Sequence, residues 1–137
     1  MRPIAFIACV LLAVPAAAQQ RQLDTLNPAQ AISRAAAASP NAVRAVVEFK
    51  VASAAKSRGG YYLDSEKDFH SATNLGVMIR PSAMPELTKK YGDDLKAALV
   101  GKTVKVIGQV RRRVVAGGRA TATQVEVTRA GQILSVG

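Results

Sequence analysis

The strongest local signal in this 137-residue sequence is the run Arg111-Arg112-Arg113. Guanidinium forks suit bidentate contacts to phosphate or sulfate oxygens, so the run is a candidate oxyanion clamp. On an extended strand consecutive side chains point to opposite faces, so three arginines cannot share one side. A bulge, or the end of sheet pairing, is expected near Arg112. Further cations stand at Lys50, Lys105 and Arg119, and the aromatic rings near them in sequence order are Tyr61, Tyr62 and Phe69. Only one of two adjacent tyrosines faces outward on a regular strand. The candidate polyanion-binding set is therefore Lys50, Tyr62, Lys105, Arg111, Arg113 and Arg119. With Tyr61 and Phe69 assigned to the core, stacking is thin, and any nucleic-acid binding is expected to be mainly electrostatic and salt-sensitive.

Other chemistry finds little to work with. Asp64, Glu66 and Asp68 alternate like the start of a calcium loop, but Phe69 stands where that loop needs glycine and Leu75 where it needs glutamate. A solvated acidic turn capping nearby amides is the expectation, with no metal site. His70, the one histidine, lacks a presented nucleophile, since the chain has no Gly-x-Ser-x-Gly elbow. Gly101-Lys102-Thr103 lacks the upstream glycine of a phosphate loop. No catalytic residue, enzymatic activity or cofactor is expected.

Residues 1–18 read as a secretory signal peptide: Arg2 opens it, Ile4 to Val14 form an apolar run too short to span a bilayer, and Ala16-Ala17-Ala18 offer a cleavage site. Cleavage near Ala18 places the mature protein in the periplasm or outside a bacterial cell. It also removes the only cysteine, Cys9, so no disulfide is expected; lipidation at Cys9 fits poorly, because the apolar run continues past it. No later stretch is long enough to cross a membrane. The formal charge is +10, or +9 without Arg2, and it is unevenly spread. From Lys96 onward eight basic residues face Glu126 alone, whereas residues 61–95 carry four basic and six acidic residues. Such asymmetry points to a polyanionic partner.

The elements that must position these residues follow from periodicity. Asn27-Pro28-Ala29-Gln30 reads as a capped helix start, continuing to Ala38 with Leu26, Ala29, Ile32 and Ala36 on one side. Period-two alternation predicts strands over residues 43–53, 61–64 and 75–80. Met84, Leu87, Tyr91, Leu95 and Leu99, at spacings of three or four, predict a helical stretch over residues 82–99, broken at Gly92 with Asp93 capping its second part. A fourth strand begins after Gly101, with Val104, Val106 and Val110 inward. Residues 119–127 supply a fifth after the turn at Ala116-Gly117-Gly118, and residues 132–136 a short extension. This β-β-β-α-β-β order predicts a mainly β fold: a five-stranded Greek-key OB-fold barrel with a helix between strands 3 and 4 and a short N-terminal helix. The expected organisation is a signal peptide (1–18), an N-terminal segment (19–41) and the barrel domain (42–137).

Four pieces of sequence carry a resemblance: Val47-Glu-Phe-Lys-Val-Ala-Ser, Leu63-Asp-Ser-Glu-Lys-Asp-Phe, Asn74-Leu75, and Gly101-Lys-Thr-Val-Lys-Val-Ile-Gly. Over about residues 26–127 the chain resembles a family of small bacterial OB-fold proteins described as nucleic-acid-binding or tRNA-anticodon-like, many of them exported. The family pattern has asparagine, an aromatic and a second aromatic where this chain has Asp64, Leu75 and, approximately, Arg113. The resemblance implies an exported OB-fold binding protein whose fourth and fifth strands contact a polyanion, with single-stranded DNA or RNA as first candidate. The alternative is a periplasmic module that contacts an envelope protein or anionic glycan and has no nucleic-acid role.

Overall fold

A computed structural model describes residues 23–137. The predicted signal peptide, its cleavage site and Cys9 lie outside the described residues. The chain runs β1 (Thr25–Leu26), α1 (Pro28–Ala38), β2 (Val43–Lys50), β3 (Ser53–Ser57), β4 (Gly60–Asp64), β5 (Leu75–Ile79), α2 (Met84–Tyr91), α3 (Leu95–Leu99), β6 (Thr103–Val115), β7 (Ala120–Val127) and β8 (Ile133–Val136), with short 3-10 turns between some of them. The fold is mainly β: eight strands in one mixed sheet, ordered β1-β2-β6-β7-β5-β4-β3, with β8 added on β6. β5 and β7 pair in parallel, as do β1 and β2, and the other pairs are antiparallel.

The alternation predicted five strands and an extension. The first of those strands divides at Val51-Ala52, so β2 and β3 stand near opposite ends of the sheet order although two residues join them. Those two residues are hydrogen-bonded to both sides: the Val51 N–H donates to Lys102 O at 2.9 Å and the Ala52 N–H to Asp64 O at 2.9 Å. β1 is two residues long and shows no alternation to read, while β8 turns the expected extension into a strand on β6.

α1 begins as its sequence dictates. The Gln30 N–H donates to Asn27 Oδ1 at 2.9 Å, and the Asn27 N–H to Gln30 Oε1 at 3.0 Å. Its buried face is not the expected one, however. Ala31 and Ala35 are buried, Ala29 and Ala36 are exposed, and Leu26 is buried from β1. Small side chains one turn apart let the helix backbone approach the sheet closely, and that contact outweighs the larger but weaker apolar stripe.

Inside the sheet the odd residues of β2 meet the even residues of β6, so Val47 packs with Val104 and Val106, all fully buried. Leu75, Val77 and Ile79 of β5 form the expected inner row. Leu87, Leu95 and Leu99 add to this core from the helices. Gly92, at φ 97°, ends α2 in a conformation that costs glycine little, and Asp94, one residue beyond the expected Asp93, caps α3 by accepting from the Ala97 N–H at 3.1 Å. Tyr61 turns inward and its hydroxyl accepts from the Lys96 N–H at 3.2 Å, which ties α3 to β4.

A candidate polyanion groove and its aromatic neighbour

Beyond Val43↔Val110, β6 outlasts β2 and continues as a two-stranded arm with β7. The pairing runs without a shift from Val110↔Val125 to Val115↔Ala120, so no bulge falls at Arg112 in that ladder; pairing with β2 ends two residues earlier, at Val110. Arg111 and Arg113 consequently share one face of the arm, and Arg112 points to the other, toward Ile32 of α1 and Phe69.

On the outer face Arg111 and Arg113 meet Arg44 of β2 and Arg129, which follows β7, around a groove of about 340 Å³. None of these four arginines is ion-paired among the described residues. The groove has one acid in its lining, Glu126, and Arg80 Nε already holds its carboxylate at 3.0 Å. Gln132 fixes the Arg129 end. Its Nε2 donates to Ile107 O and Glu126 O, both at 3.0 Å, and its Oε1 accepts from the Thr128 and Arg129 N–H groups at 2.8 and 3.2 Å. Four unopposed guanidinium groups on one concave surface make a site for oxyanions.

A second groove, about 350 Å³, adjoins the first and shares Gln124 with it. Tyr62 and Phe69 line it, and Phe69 stacks on His70 with ring centroids 4.0 Å apart. Phe69 is 60% exposed, which corrects its expected place in the core: it belongs to the turn after β4 and not to a strand. Tyr62 is the outward tyrosine of the pair, and its hydroxyl donates to Met78 Sδ at 3.3 Å.

The six residues singled out from the sequence thus separate. Arg111 and Arg113 stand together in the basic groove and Tyr62 in the aromatic one. Lys50 shares the outer face with Arg44 but lies six residues along β2, roughly 20 Å away. Lys105 is 3.5 Å from Glu48, its cross-strand neighbour, and Arg119 is exposed at the arm's turn and lines neither groove. Sequence reasoning passed over Arg44, Arg129 and Gln124, and set Phe69 aside as a core residue. Arg44 carried a usable signal, because strand alternation places it on the outer face opposite Gln109.

Asp64 is nearly buried at the floor of the aromatic groove, where a solvated acid was expected. Asn74 Nδ2 donates to its Oδ1 at 3.0 Å, while Asn74 Oδ1 accepts from the Glu66 N–H at 3.0 Å. Burial pushes the Asp64 carboxyl above its ordinary value of 3.8, and the Asn74 hydrogen bond offsets part of that shift. The folded state therefore holds this proton more tightly than the unfolded chain, and stability falls as pH rises from about 3.8 through the folded-state value. Asp64→Asn stays neutral and keeps an acceptor for Asn74. It is expected to melt higher than wild type at pH 7, by about 4 to 8 °C per kcal/mol relieved, and to lose that advantage below pH 3.8. Thermal melts at pH 3, 5 and 7 check this. The rest of the acidic segment is turn-forming: Asp68 Oδ1 accepts from the His70 N–H at 3.0 Å, and the Glu66 carboxylate accepts from the Thr73 hydroxyl at 2.8 Å.

Comparison with known proteins gives this arrangement no class. No protein-family model matches the chain, and no curated protein matches it. Among solved structures it is similar to a protein assigned as an aspartyl-tRNA synthetase from Leishmania major Friedlin, with 11% identity and a TM-score of 0.49. That match covers 80% of this chain and 20% of the other, and at this level it carries no argument about fold or function. No helix among the described residues is long and apolar enough to cross a membrane.

Proposed function

We propose that this chain is an exported, non-enzymatic OB-fold binding protein that contacts a polyanion, single-stranded nucleic acid before others. The observation that carries the reading is the basic groove of Arg44, Arg111, Arg113 and Arg129 lying across Gln124 from half-buried Tyr62 and exposed Phe69. Single-strand binding needs both parts: cations that follow phosphates and rings on which bases stack, each stacked base contributing about 1 to 3 kcal/mol. The OB-fold reading is supported by strand order. With β2, the Val51-Ala52 link and β3 taken as one bent strand, the order becomes 1-2-3-5-4 and returns to 1, with strands 3 and 5 parallel and a helical segment between strands 3 and 4. Export rests on residues 1–18 of the sequence.

The test compares the mature chain's affinity for single-stranded DNA, RNA and a sulfated glycan of matched charge at equal salt. Oligonucleotides are expected to bind tighter, because a glycan offers no planar aromatic base to stack on Tyr62 and Phe69. Equal or tighter glycan binding overturns the nucleic-acid reading in favour of an envelope module. Absence of binding to all three at low salt overturns the polyanion reading altogether.

A further inference from the structure

One cross-strand row of the outer face runs Asp64, Gly76, Gln124, Arg111 over β4, β5, β7 and β6. It places a carboxyl, a gap, an amide and a guanidinium side by side, with neighbouring strands about 4.8 Å apart. The gap is a position without a side chain and not open space: a methyl group on Gly76 would lie 3.3 Å from Asp64 Oδ1 and 3.7 Å from Gln124 Cγ, so those two side chains close over it and form the floor. Tyr62, two residues from Asp64 on the same strand and face, and Phe69 flank this floor. The groove, about 350 Å³, has aromatic side chains along it and polar groups at its base.

Resting on the nucleic-acid reading above, we infer that this groove takes one unstacked nucleobase and that Asp64 selects bases that present an exocyclic amino group. The selectivity follows from how Asp64 is held. The Glu66 N–H requires an acceptor, which fixes Asn74 Oδ1 toward it and Asn74 Nδ2 toward Asp64. The Leu75 N–H donates to Ser65 Oγ at 2.8 Å and locks the same turn. The structure records one hydrogen bond to the Asp64 side chain, at Oδ1, which leaves Oδ2 for a ligand. An ionised carboxylate only accepts hydrogen bonds. Cytosine offers it the N4 amino group. Thymine presents one N–H flanked by two carbonyl oxygens, which a carboxylate repels. Arg111, at the end of the row, is placed for the phosphate of the same strand.

The test uses the mature chain at pH 7.5 with fluorescent 12-mers of dC and dT, pyrimidines of similar stacking area. Wild type is expected to bind the dC strand about 5-fold or more tightly, the low end for a good base contact. In Asp64→Asn the Asn74 donor keeps the new side-chain oxygen at the Oδ1 position and turns the new amide NH₂ into the groove. That donor faces thymine O4, so the preference is expected to invert toward dT. A second variant, Gly76→Ala, crowds Asp64 Oδ1 at 3.3 Å, displaces the carboxylate and is expected to abolish discrimination while the salt dependence persists. Equal binding of the two strands by wild type, or a dC preference that Asp64→Asn leaves unchanged, overturns the inference and spares the polyanion reading. Failure of both strands to bind at low salt overturns both readings. Circular dichroism of each variant verifies that the fold is intact.

Discussion

The double variant Arg111→Glu/Arg113→Glu is expected to lose single-stranded oligonucleotide affinity by about 100-fold or more at low salt. Each arginine is placed for a charge-assisted contact of about 1.5 to 3 kcal/mol, and reversal adds repulsion where attraction stood. Both side chains lie on the outer face without an ion-pair partner among the described residues, so their loss leaves the core untouched. Lys50→Glu/Lys105→Glu changes net charge equally but lies off the groove, and its expected loss is less than about 3-fold, as for exposed charges acting at a distance. Fluorescence anisotropy on the two variants separates a formed groove from a diffuse basic surface. Equal losses would show that net charge alone decides binding.

Gly60→Ala is expected to be the most damaging single methyl in the sheet. Gly60 is buried at the start of β4, and a Cβ there would collide with the backbone carbonyl of Ile79, an atom of a paired central strand that has no side-chain freedom to move aside. Overpacking of this kind costs about 3 kcal/mol at its upper end, here read as a Tm about 10 °C lower or more. Ala substitution at Gly101 meets open space within 4 Å but has φ 86°, so a comparison of the two separates steric collision from backbone strain. A Gly60→Ala protein that melts within 2 to 3 °C of wild type, roughly the effect of half a kcal/mol, would contradict the register described for β4 and β5.

Periodicity made the inner faces legible. Val43 to Phe49 and Val104 to Val110 alternate because one side of each strand is buried, and that pattern is written in residue type; Leu75, Val77 and Ile79 mark the inner row of β5, although both sides of that strand are buried. Close approach is less visible. Ala31 and Ala35 are buried because they are small, whereas helical spacing from Leu26 and Ile32 put Ala29 and Ala36 on the expected inner side. Phe69 follows the same logic in reverse: an aromatic reads as core by composition, and only the turn geometry after β4 leaves it exposed. The groove was half legible. Arg111 and Arg113 could be placed on one face from strand parity, but Arg44 and Arg129 come from distant sequence, and the register of β2 with β6 and the turn held by Gln132 bring them in. The exposure of Lys50 and Lys105 was correctly anticipated, yet exposure does not say which cations converge. Asp64 read as a solvated acid because its chemistry favours water; the Asn74 side chain, ten residues away, offsets part of the cost of burying it.

The central claim is that the groove neutralises phosphates, and the salt dependence of single-stranded DNA binding by the mature chain tests it most directly. Two to four arginine–phosphate contacts predict that log K falls linearly with log salt concentration, with a slope of about −1.4 to −2.8 for a single strand. A flat dependence, or no measurable affinity at 50 mM salt, roughly the low end of such titrations, would contradict it.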